Sequence, residues 1–220
     1  MVEGVEARRV TAPSGCPHHA MRAGIRSRLL LTRLLGSVVL VLVLSSASQW
    51  TVQGPERVGE WLFAAGAALA IAGFAFRAWA LCHIEGRKKR LLVRSGPYAL
   101  CRHPLYLGSL VGGLGLVLCT QRLTLAAIYL AGCALLVPLA IRVEEAYLES
   151  RFDDYADFKA TVPALFPRGR RVRGESTPVD LRALGRGVLE GTAFLSPLLL
   201  LPLIAGLQQA GVMPFLLVLP

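Results

Sequence analysis

The stretch Arg94-Ser-Gly-Pro-Tyr-Ala-Leu-Cys-Arg-His-Pro-Leu-Tyr-Leu-Gly108 joins two long apolar segments and carries far more polar chemistry than an ordinary linker. Ser95-Gly96-Pro97 predicts a turn, because glycine allows unusual backbone angles and proline fixes its own. Pro104 has no backbone N–H to donate, which suits the first turn of a helix and not its middle. We therefore predict a helix that begins at Pro104 and runs into the second apolar segment, with His103 as its cap.

The start of this predicted helix is suited to binding an anion. The free N–H groups and the positive end of the helix dipole would face the surroundings of Arg102 and His103. A carboxylate is the natural ligand for such a place. Tyr98 and Tyr106 lie close by in the sequence, and aromatic faces attract a cationic centre. The stretch therefore predicts a binding site rather than a simple connection.

The composition places the chain among multi-pass membrane proteins. Of its 220 residues, 54% are hydrophobic and only 17% are charged, whereas about a quarter of a soluble domain is charged. The apolar residues are clustered in long runs. A net charge of +10 can indicate nucleic acid, but these basic residues flank apolar runs, so membrane orientation and anionic lipid explain them better. We expect the lipid bilayer as a partner and no nucleic acid, and we leave the oligomeric state open.

The cysteines argue against a disulfide framework or a structural zinc site. Their number is odd, their spacing is wide and no CxxC pair exists. Cys16, His18 and His19 stand together near the N-terminus, and such residues can bind a metal. We favour a mobile tail there and expect no metal site. The five cysteines are Cys16, Cys82, Cys101, Cys119 and Cys133.

Hydropathy predicts four spanning helices, at residues 29–48, 58–82, 104–119 and 123–141. Arginines open the first span, and the loop between the second and third spans is the most basic short loop of the chain. By the positive-inside rule, the N-terminus and this loop lie on the cytoplasmic side, most simply of a bacterial cytoplasmic membrane. We interpret Arg77, inside the second span, as a snorkelling arginine. The predicted fold class is an all-α integral membrane protein with four core transmembrane helices.

The residues after the fourth span return to the cytoplasmic face, because four crossings bring the chain back to its starting side. The pair Glu144-Glu145 is therefore expected near the linker 94–108. We predict one helix from Arg142 to about Ala160, lying at the interface or over a pocket. Its apolar stripe consists of Leu148, Phe152, Tyr155 and Phe158.

These features divide the chain into four parts. Residues 1–25 are polar and predict a disordered cytoplasmic tail, and residues 26–168 form the predicted membrane domain. Residues 169–187 form a basic linker. Residues 188–220 are apolar but interrupted by prolines, which predicts either a fifth span or a re-entrant hairpin.

Several separated blocks together resemble one family of membrane enzymes. Gly96-Pro97-Tyr98 is followed by Arg102-His103-Pro104-Leu105-Tyr106, an apolar hairpin, the pair Glu144-Glu145 and an aromatic-rich tail ending at Val162-Pro163. This order and spacing resemble the isoprenylcysteine carboxyl methyltransferase and phospholipid methyltransferase superfamily. The resemblance covers roughly residues 60–168, about half of the chain.

The resemblance implies S-adenosylmethionine as cofactor and methyl donor. Arg102, His103 and the helix start suit its carboxylate, and Glu144 or Glu145 suits its ammonium or a ribose hydroxyl. Tyr98 and Tyr106 suit its sulfonium or adenine. Arg142 is the candidate catalytic residue, as a partner for an anionic acceptor. The implied cofactor-binding residues are Arg90, Leu91, Leu92, Val93, Tyr98, Arg102, His103, Pro104, Leu105, Tyr106, Glu144 and Glu145.

The implied reaction is methyl transfer to a lipid-like or prenylated acceptor at the cytoplasmic face, with O-methylation of a carboxylate favoured. An ionised carboxylate needs no strong base, so positioning and removal of water would supply the catalysis. Three alternatives stay open. They are N-methylation of a phospholipid amine within the same superfamily, an NADPH-dependent sterol-type membrane reductase, and a non-enzymatic membrane protein that keeps the fold.

Overall fold

A computed structural model describes residues 37–38, 41–49, 56–84, 91–167, 185, 195–214 and 216–220. Its principal helices are α1 (Glu56–Ile84), α2 (Pro104–Cys119), α3 (Leu123–Glu149), α4 (Tyr155–Thr161) and α5 (Pro197–Gln209), and a short 3-10 helix spans Gly96–Ala99. Two short strands, β1 (Ser46–Ser48) and β2 (Leu217–Leu219), pair in parallel. The predicted helical architecture is confirmed, and the three-residue pairing of β1 with β2 is an addition that the sequence did not predict.

Two of the described helices are long and apolar enough to cross a membrane. They span Arg57–Ile84 and Leu123–Glu149. Helix α2 begins at Pro104 with His103 as its N-cap and ends at Cys119, as predicted. Its 16 residues rise about 24 Å, less than the roughly 30 Å of a bilayer core. Half of the predicted span 29–48 lies outside the described residues, so a core of four spans stays a prediction.

Helices α1 and α2 pack closely because glycines line the seam between them. A Cβ atom added at Gly73 would overlap the backbone of Gly112, and one added at Gly115 would overlap the backbone of Ala70. Glycines at such positions allow two helix backbones to approach closely. Gly113 faces a different neighbour, since a Cβ there would overlap the phenol of Tyr129 on α3.

Arg77 also belongs to this seam. Its Nη1 atom donates to Ser109 Oγ of α2 at 2.8 Å, and Ser109 Oγ donates in turn to the Leu105 carbonyl at 2.8 Å. The snorkelling interpretation was incomplete, because it considered water and lipid as the only surroundings of the guanidinium. The neighbouring helix supplies an acceptor within the span.

The helix predicted from Arg142 to Ala160 is two helices. α3 ends at Glu149, and α4 begins at Tyr155. The Phe152 N–H still reaches back to the Leu148 carbonyl at 2.9 Å, and the chain then turns so that α4 folds back. The reason is tertiary packing: Tyr155, Phe158 and Val162 form a buried cluster against residues of α3 and the linker, namely Leu92, Leu148 and Phe152.

The C-terminal segment packs where α2 ends and α3 begins. β2 lies beside β1, with Ala47 opposite Val218, and the Thr124 N–H donates to the Pro220 carbonyl at 3.0 Å. Gln208 Nε2 donates to the Ser46 carbonyl at 3.1 Å. Helix α5 has 13 residues and rises about 20 Å. The choice between a fifth span and a re-entrant hairpin stays a prediction.

We expect Gly73→Ala to destabilise the protein by about 1–3 kcal/mol, because the added methyl group forces two helix backbones apart. Thermal unfolding of the purified protein in detergent measures the change. The matched control is Gly206→Ala in α5, where an added Cβ meets no atom within 4 Å. That control should be neutral or slightly stabilising, because alanine is the better helix former. Equal losses in both variants would contradict close packing at the seam.

Candidate functional site

The linker 94–108 folds into a compact turn before α2. Gly96 has a φ of +61°, in the left-handed region that glycine adopts without strain. A Cβ at this position would also overlap the imidazole of His83, whose Nδ1 lies 3.0 Å from the Trp79 carbonyl oxygen. Both the backbone angle and the close contact with α1 therefore require glycine here, which confirms the predicted turn.

The carboxylate of Glu145 is the centre of a buried ionic cluster. Arg102 donates to its Oε1 from Nε at 2.9 Å and from Nη2 at 2.6 Å. His103 Nε2 lies 3.2 Å from the same oxygen, and Lys159 Nζ lies 3.1 Å from Oε2. Glu145 is only 7% exposed. One carboxylate thus joins the linker, α3 and α4.

The remaining donors of Arg102 hold the chain after α4. Its Nη1 donates to the Lys159 carbonyl at 2.9 Å and to the Val162 carbonyl. All three guanidinium nitrogens therefore donate to protein acceptors. An arginine engaged in this way positions other groups and has little capacity left for a ligand. Its predicted contact with a cofactor carboxylate stays a prediction, and the described geometry favours a positioning role.

Backbone hydrogen bonds fasten the same two segments together. The Arg102 N–H donates to the Pro163 carbonyl at 2.9 Å, and the His103 N–H donates to the Ala164 carbonyl at 3.0 Å. Arg94 adds a further contact, since its Nη2 donates to the Asp154 carbonyl at 2.9 Å. Residues 154–164 are thus clamped onto the linker and cover the start of α2.

The start of α2 offers less room for an anion than its sequence predicts. The N–H groups of Tyr106 and Leu107 both donate to the His103 carbonyl at 3.1 Å. Pro104 has no N–H, and the His103 N–H is taken by Ala164. Most donors of a typical helix N-terminus are therefore already used within the protein.

Glu144 differs from its neighbour in having an unused carboxylate. It is half-buried and forms no hydrogen bond or ion pair with a residue of the described parts of the chain. Its charge nevertheless acts on Tyr98, on His103 and on Tyr155, so it lies near all three. An acid in this position is available to a ligand.

Two buried hydroxyl groups, Ser95 Oγ and Tyr98 OH, have no hydrogen-bond partner among the described residues, whereas the phenol of Tyr155 lies within hydrogen-bonding reach of Arg102. Burial above all raises the pKa of both tyrosines, with a contribution from nearby glutamates. Both phenols therefore stay protonated and can donate. Buried polar groups without a partner are rare in folded proteins, so the hydroxyls of Ser95 and Tyr98 indicate a place where a bound molecule completes the structure.

His103 is held neutral at the centre of the site. Burial lowers the pKa of its imidazole, and the charges of Glu144 and Glu145 oppose that change only in part. A neutral imidazole has one N–H to donate, and the carboxylate of Glu145 is the acceptor nearest to Nε2. The ring of Tyr106 packs edge-on against His103, with 5.8 Å between centroids.

The other predicted site residues are spread around this centre. Val93 is buried against Tyr98, whereas Leu91 is 63% exposed. Leu92 belongs to the apolar cluster under α4. The predicted contacts of Leu91, Leu92, Val93 and Leu105 with a cofactor stay predictions, and Arg90 lies outside the described residues.

Arg142 is exposed on α3. Residues two apart on a helix point to different faces, so Arg142 and Glu144 diverge, and its catalytic role stays a prediction. Lys159, Ser95 and Tyr155 are the residues that our site prediction missed. Lys159 lies inside the aromatic-rich tail that carries the family resemblance. Its distance from Glu145 along the sequence does not predict that the two side chains form an ion pair.

Known proteins resemble the chain over a range that includes most of this site. The family model for phospholipid methyltransferases matches residues 61–155. The cobalt-zinc-cadmium resistance protein CzcN of Cupriavidus metallidurans is 37% identical over 171 residues, which cover 77% of this chain and 78% of CzcN. The chain belongs to the phospholipid methyltransferase family. The nickel-cobalt-cadmium resistance protein NccN of Alcaligenes xylosoxydans xylosoxydans is 34% identical, with 89% of this chain and 91% of NccN covered. No solved structure matches the chain significantly.

Membership of the phospholipid methyltransferase family confirms the resemblance read from the linker and the acid pair. The matched range 61–155 includes α1, α2 and α3 and contains the Glu145 cluster except for Lys159. Together with two helices that are able to span a bilayer, the family identifies a membrane protein. Among the described residues, no group of three or more His, Cys, Asp or Glu side chains is arranged to hold a metal ion. Cys16, His18 and His19 lie outside those residues.

We expect Glu145→Ala to destabilise the protein by about 3–5 kcal/mol, because it leaves the buried guanidinium of Arg102 without its counter-ion. Thermal unfolding in detergent measures the loss. Glu149→Ala is the matched control, since Glu149 also pairs with Lys159, at 2.8 Å, but is largely exposed. The control should change stability little. A Glu145→Ala protein as stable as the control would show that the cluster does not hold the fold.

The stability of the protein should depend on pH through His103. Its pKa is lowered by burial in the folded state, so the unfolded chain takes up the proton first, near the ordinary histidine pKa of about 6.5. The free energy of unfolding should therefore fall as the pH drops below that value. His103→Asn should flatten this part of the profile, as measured by unfolding between about pH 7.5 and 5.5. An unchanged slope in the variant would exclude His103 as its source.

Proposed function

We propose that this protein transfers a methyl group from S-adenosylmethionine to a lipid-like or prenylated acceptor at the membrane face that carries α4, with O-methylation of a carboxylate favoured. The observation that carries the proposal is Glu144. It is a half-buried acid without an ion pair among the described residues, its charge acts on Tyr98, whose buried hydroxyl has no described partner, and on Tyr155, and it lies inside the range matched by a methyltransferase family.

The residues of this site fit the cationic end of S-adenosylmethionine. When bound, the cofactor supplies a methyl group activated by a positively charged sulfonium. Glu144 would accept from its ammonium or from a ribose hydroxyl, and a charged hydrogen bond of this kind is among the stronger ones. Tyr98 would donate its hydroxyl, which has no partner among the described residues. The exposed part of Tyr106 offers an aromatic face to the sulfonium or the adenine.

Arg102 acts indirectly in this proposal. It holds Glu145 and the carbonyls after α4, so it fixes the positions of His103 and of the covering segment 154–164. Rigid support of this kind is what a site needs in order to hold two reactants in line. Burial by the covering segment also keeps water from the reacting groups, which favours transfer to an ionised acceptor.

A carboxylate acceptor agrees with the acid–base properties of the site. Transfer to a carboxylate releases no proton, whereas methylation of an ammonium group requires a base to remove one. Neutral His103 is the nearest candidate base, but the ring is buried and its Nε2 faces Glu145, so only Nδ1 is left to take up a proton. Arg142, exposed on the same stretch of α3, is available to attract an anionic acceptor to the membrane surface.

Membership of a methyltransferase family supports this reaction over the reductase alternative. Both similar proteins carry names that refer to metal resistance. We propose that the methylation performed by this chain serves the same purpose, by modifying a membrane component rather than by holding the metal itself. Growth of a producing strain with cobalt, zinc or cadmium, compared with a Glu144→Gln strain, tests that extension.

We expect the purified protein to bind S-adenosylhomocysteine in detergent, and Glu144→Gln to weaken binding by about 10- to 100-fold. That factor corresponds to the loss of one charged hydrogen bond, about 1.5–3 kcal/mol. Calorimetric titration measures both affinities. Glu149→Gln, on the same helix but exposed and paired with Lys159, is the control and should bind as the wild type does.

Two results would contradict the proposal. Binding of NADPH by a folded wild type that ignores S-adenosylhomocysteine would favour the reductase. Binding of neither compound by a folded wild type would favour a non-enzymatic protein that keeps the fold.

A further inference from the structure

A cavity lies at the opposite end of α2 from the candidate site. Its volume is about 420 Å³, which is within the range of small-molecule sites. Because α2 has 16 residues, the two ends are about 24 Å apart. Most of the wall is apolar, formed by Phe63 of α1 and by α5 residues that include Leu201 and Ile204.

One end of this cavity carries a buried positive charge. Arg122 is only 5% exposed and lines the cavity. Its Nη1 donates to the Thr120 carbonyl at 3.0 Å, and its Nη2 donates to the carbonyls of Val43, at 3.3 Å, and Ser46. Its Nε has no hydrogen-bond partner among the residues that the structure describes. No described carboxylate pairs with it.

A buried cation without a counter-ion is unfavourable. Burial lowers the pKa of Arg122 to about 10, so the group is still charged near neutral pH. Backbone carbonyls supply only partial negative charges. An acidic group placed in the cavity would supply the missing counter-charge, and the apolar walls would bind a hydrocarbon chain attached to it.

The other polar residues of the cavity limit the charge of such a ligand. Gln208 and Gln121 line the cavity, and the Nε2 of buried Gln208 already donates to the carbonyls of Leu44, at 3.3 Å, and Ser46, at 3.1 Å. Glu60 also lines the cavity and is exposed. Its carboxylate would repel a second negative charge but tolerate an amine. A singly charged or zwitterionic head group therefore fits best.

We propose that this cavity binds a membrane amphiphile, with its single acidic head group at Arg122 and its acyl chain against Phe63 and α5. A phospholipid and a free fatty acid share this chemistry. The site is separate from the proposed methyl-transfer site, and the inference does not depend on that function.

The test uses the full-length, delipidated protein in detergent and follows its thermal unfolding as ligands are added. The probes are a short-chain phosphatidylglycerol, a fatty acid of matched chain length, an uncharged diacylglycerol and inorganic phosphate. We expect at least one of the two acidic amphiphiles to raise the unfolding midpoint in a saturable way. Which of them does so identifies the source of the ligand.

Two variants and a control locate the effect. Arg122→Gln removes the charge and should weaken binding at least tenfold. Gly206→Leu should also abolish it, because Gly206 lines the cavity and an added Cβ there meets no atom within 4 Å, so the side chain can occupy the space without a clash. Arg57→Gln removes an exposed charge at the same end of α1, outside the cavity, and should bind normally.

Three results would overturn the proposal. Equal stabilisation by diacylglycerol would show that Arg122 plays no part, and full stabilisation by inorganic phosphate would exclude a role for the apolar wall. Saturable binding that persists in Gly206→Leu would place the ligand elsewhere. This last variant decides the question even where Arg122→Gln fails to fold.

Discussion

The carboxylate of Glu145 is the interaction on which the arrangement of the site depends. It is buried and accepts from Arg102 and Lys159, with His103 within reach, so three distant segments must converge on it. A buried acid is tolerated only when cations and hydrogen bonds surround it. Separation of the linker from α3, or of α4 from the linker, would therefore leave a buried charge of this cluster without its partner in an apolar environment. The cap of α2 and the covering segment 154–164 follow from this one requirement.

A second constraint acts deeper in the bundle, where no charge is involved. Glycines along the seam bring α1 and α2 into backbone contact. This contact fixes the direction of the α2 axis independently of the interactions at the N-terminus of α2. The fit between Gly96 and the ring of His83 extends this contact into the linker. The seam therefore sets where α2 points, and the ionic cluster sets what surrounds its first turn. The site needs both, because neither constraint alone determines the position of His103.

Local signals in the sequence were sufficient for the helices but not for the tertiary contacts. Pro104 and the apolar runs predicted α2 to the residue, because a proline start and hydropathy are properties of the segment itself. The helix break after Glu149 is marked by no proline or glycine in the sequence. Packing of α4 against Leu92 causes this break, so the local sequence could not predict it. The strand β1 reads Ser-Ala-Ser and has no strand pattern of its own. Because four crossings return the chain to its starting side, the sequence predicted that the acid pair lies near the linker. The number of crossings could not show that Lys159 also lies beside Glu145.

The different roles of Glu144 and Glu145 follow from their different directions on helix α3. The Glu-Glu motif alone does not show which of the two acids faces the cluster. Successive residues point about 100° apart on a helix, so only one of two adjacent acids can face the cluster. In that cluster the charges of Arg102 and Lys159 are balanced by Glu145 and Glu149, and burial keeps His103 neutral. Arg94 is likewise matched by Asp154. Among the described residues of the site, Glu144 is thus the one acid that no described cation balances. S-adenosylmethionine carries two positive charges and one negative, so a site with a single free acid is complementary to its net charge, and this supports the proposed cofactor independently of the motif.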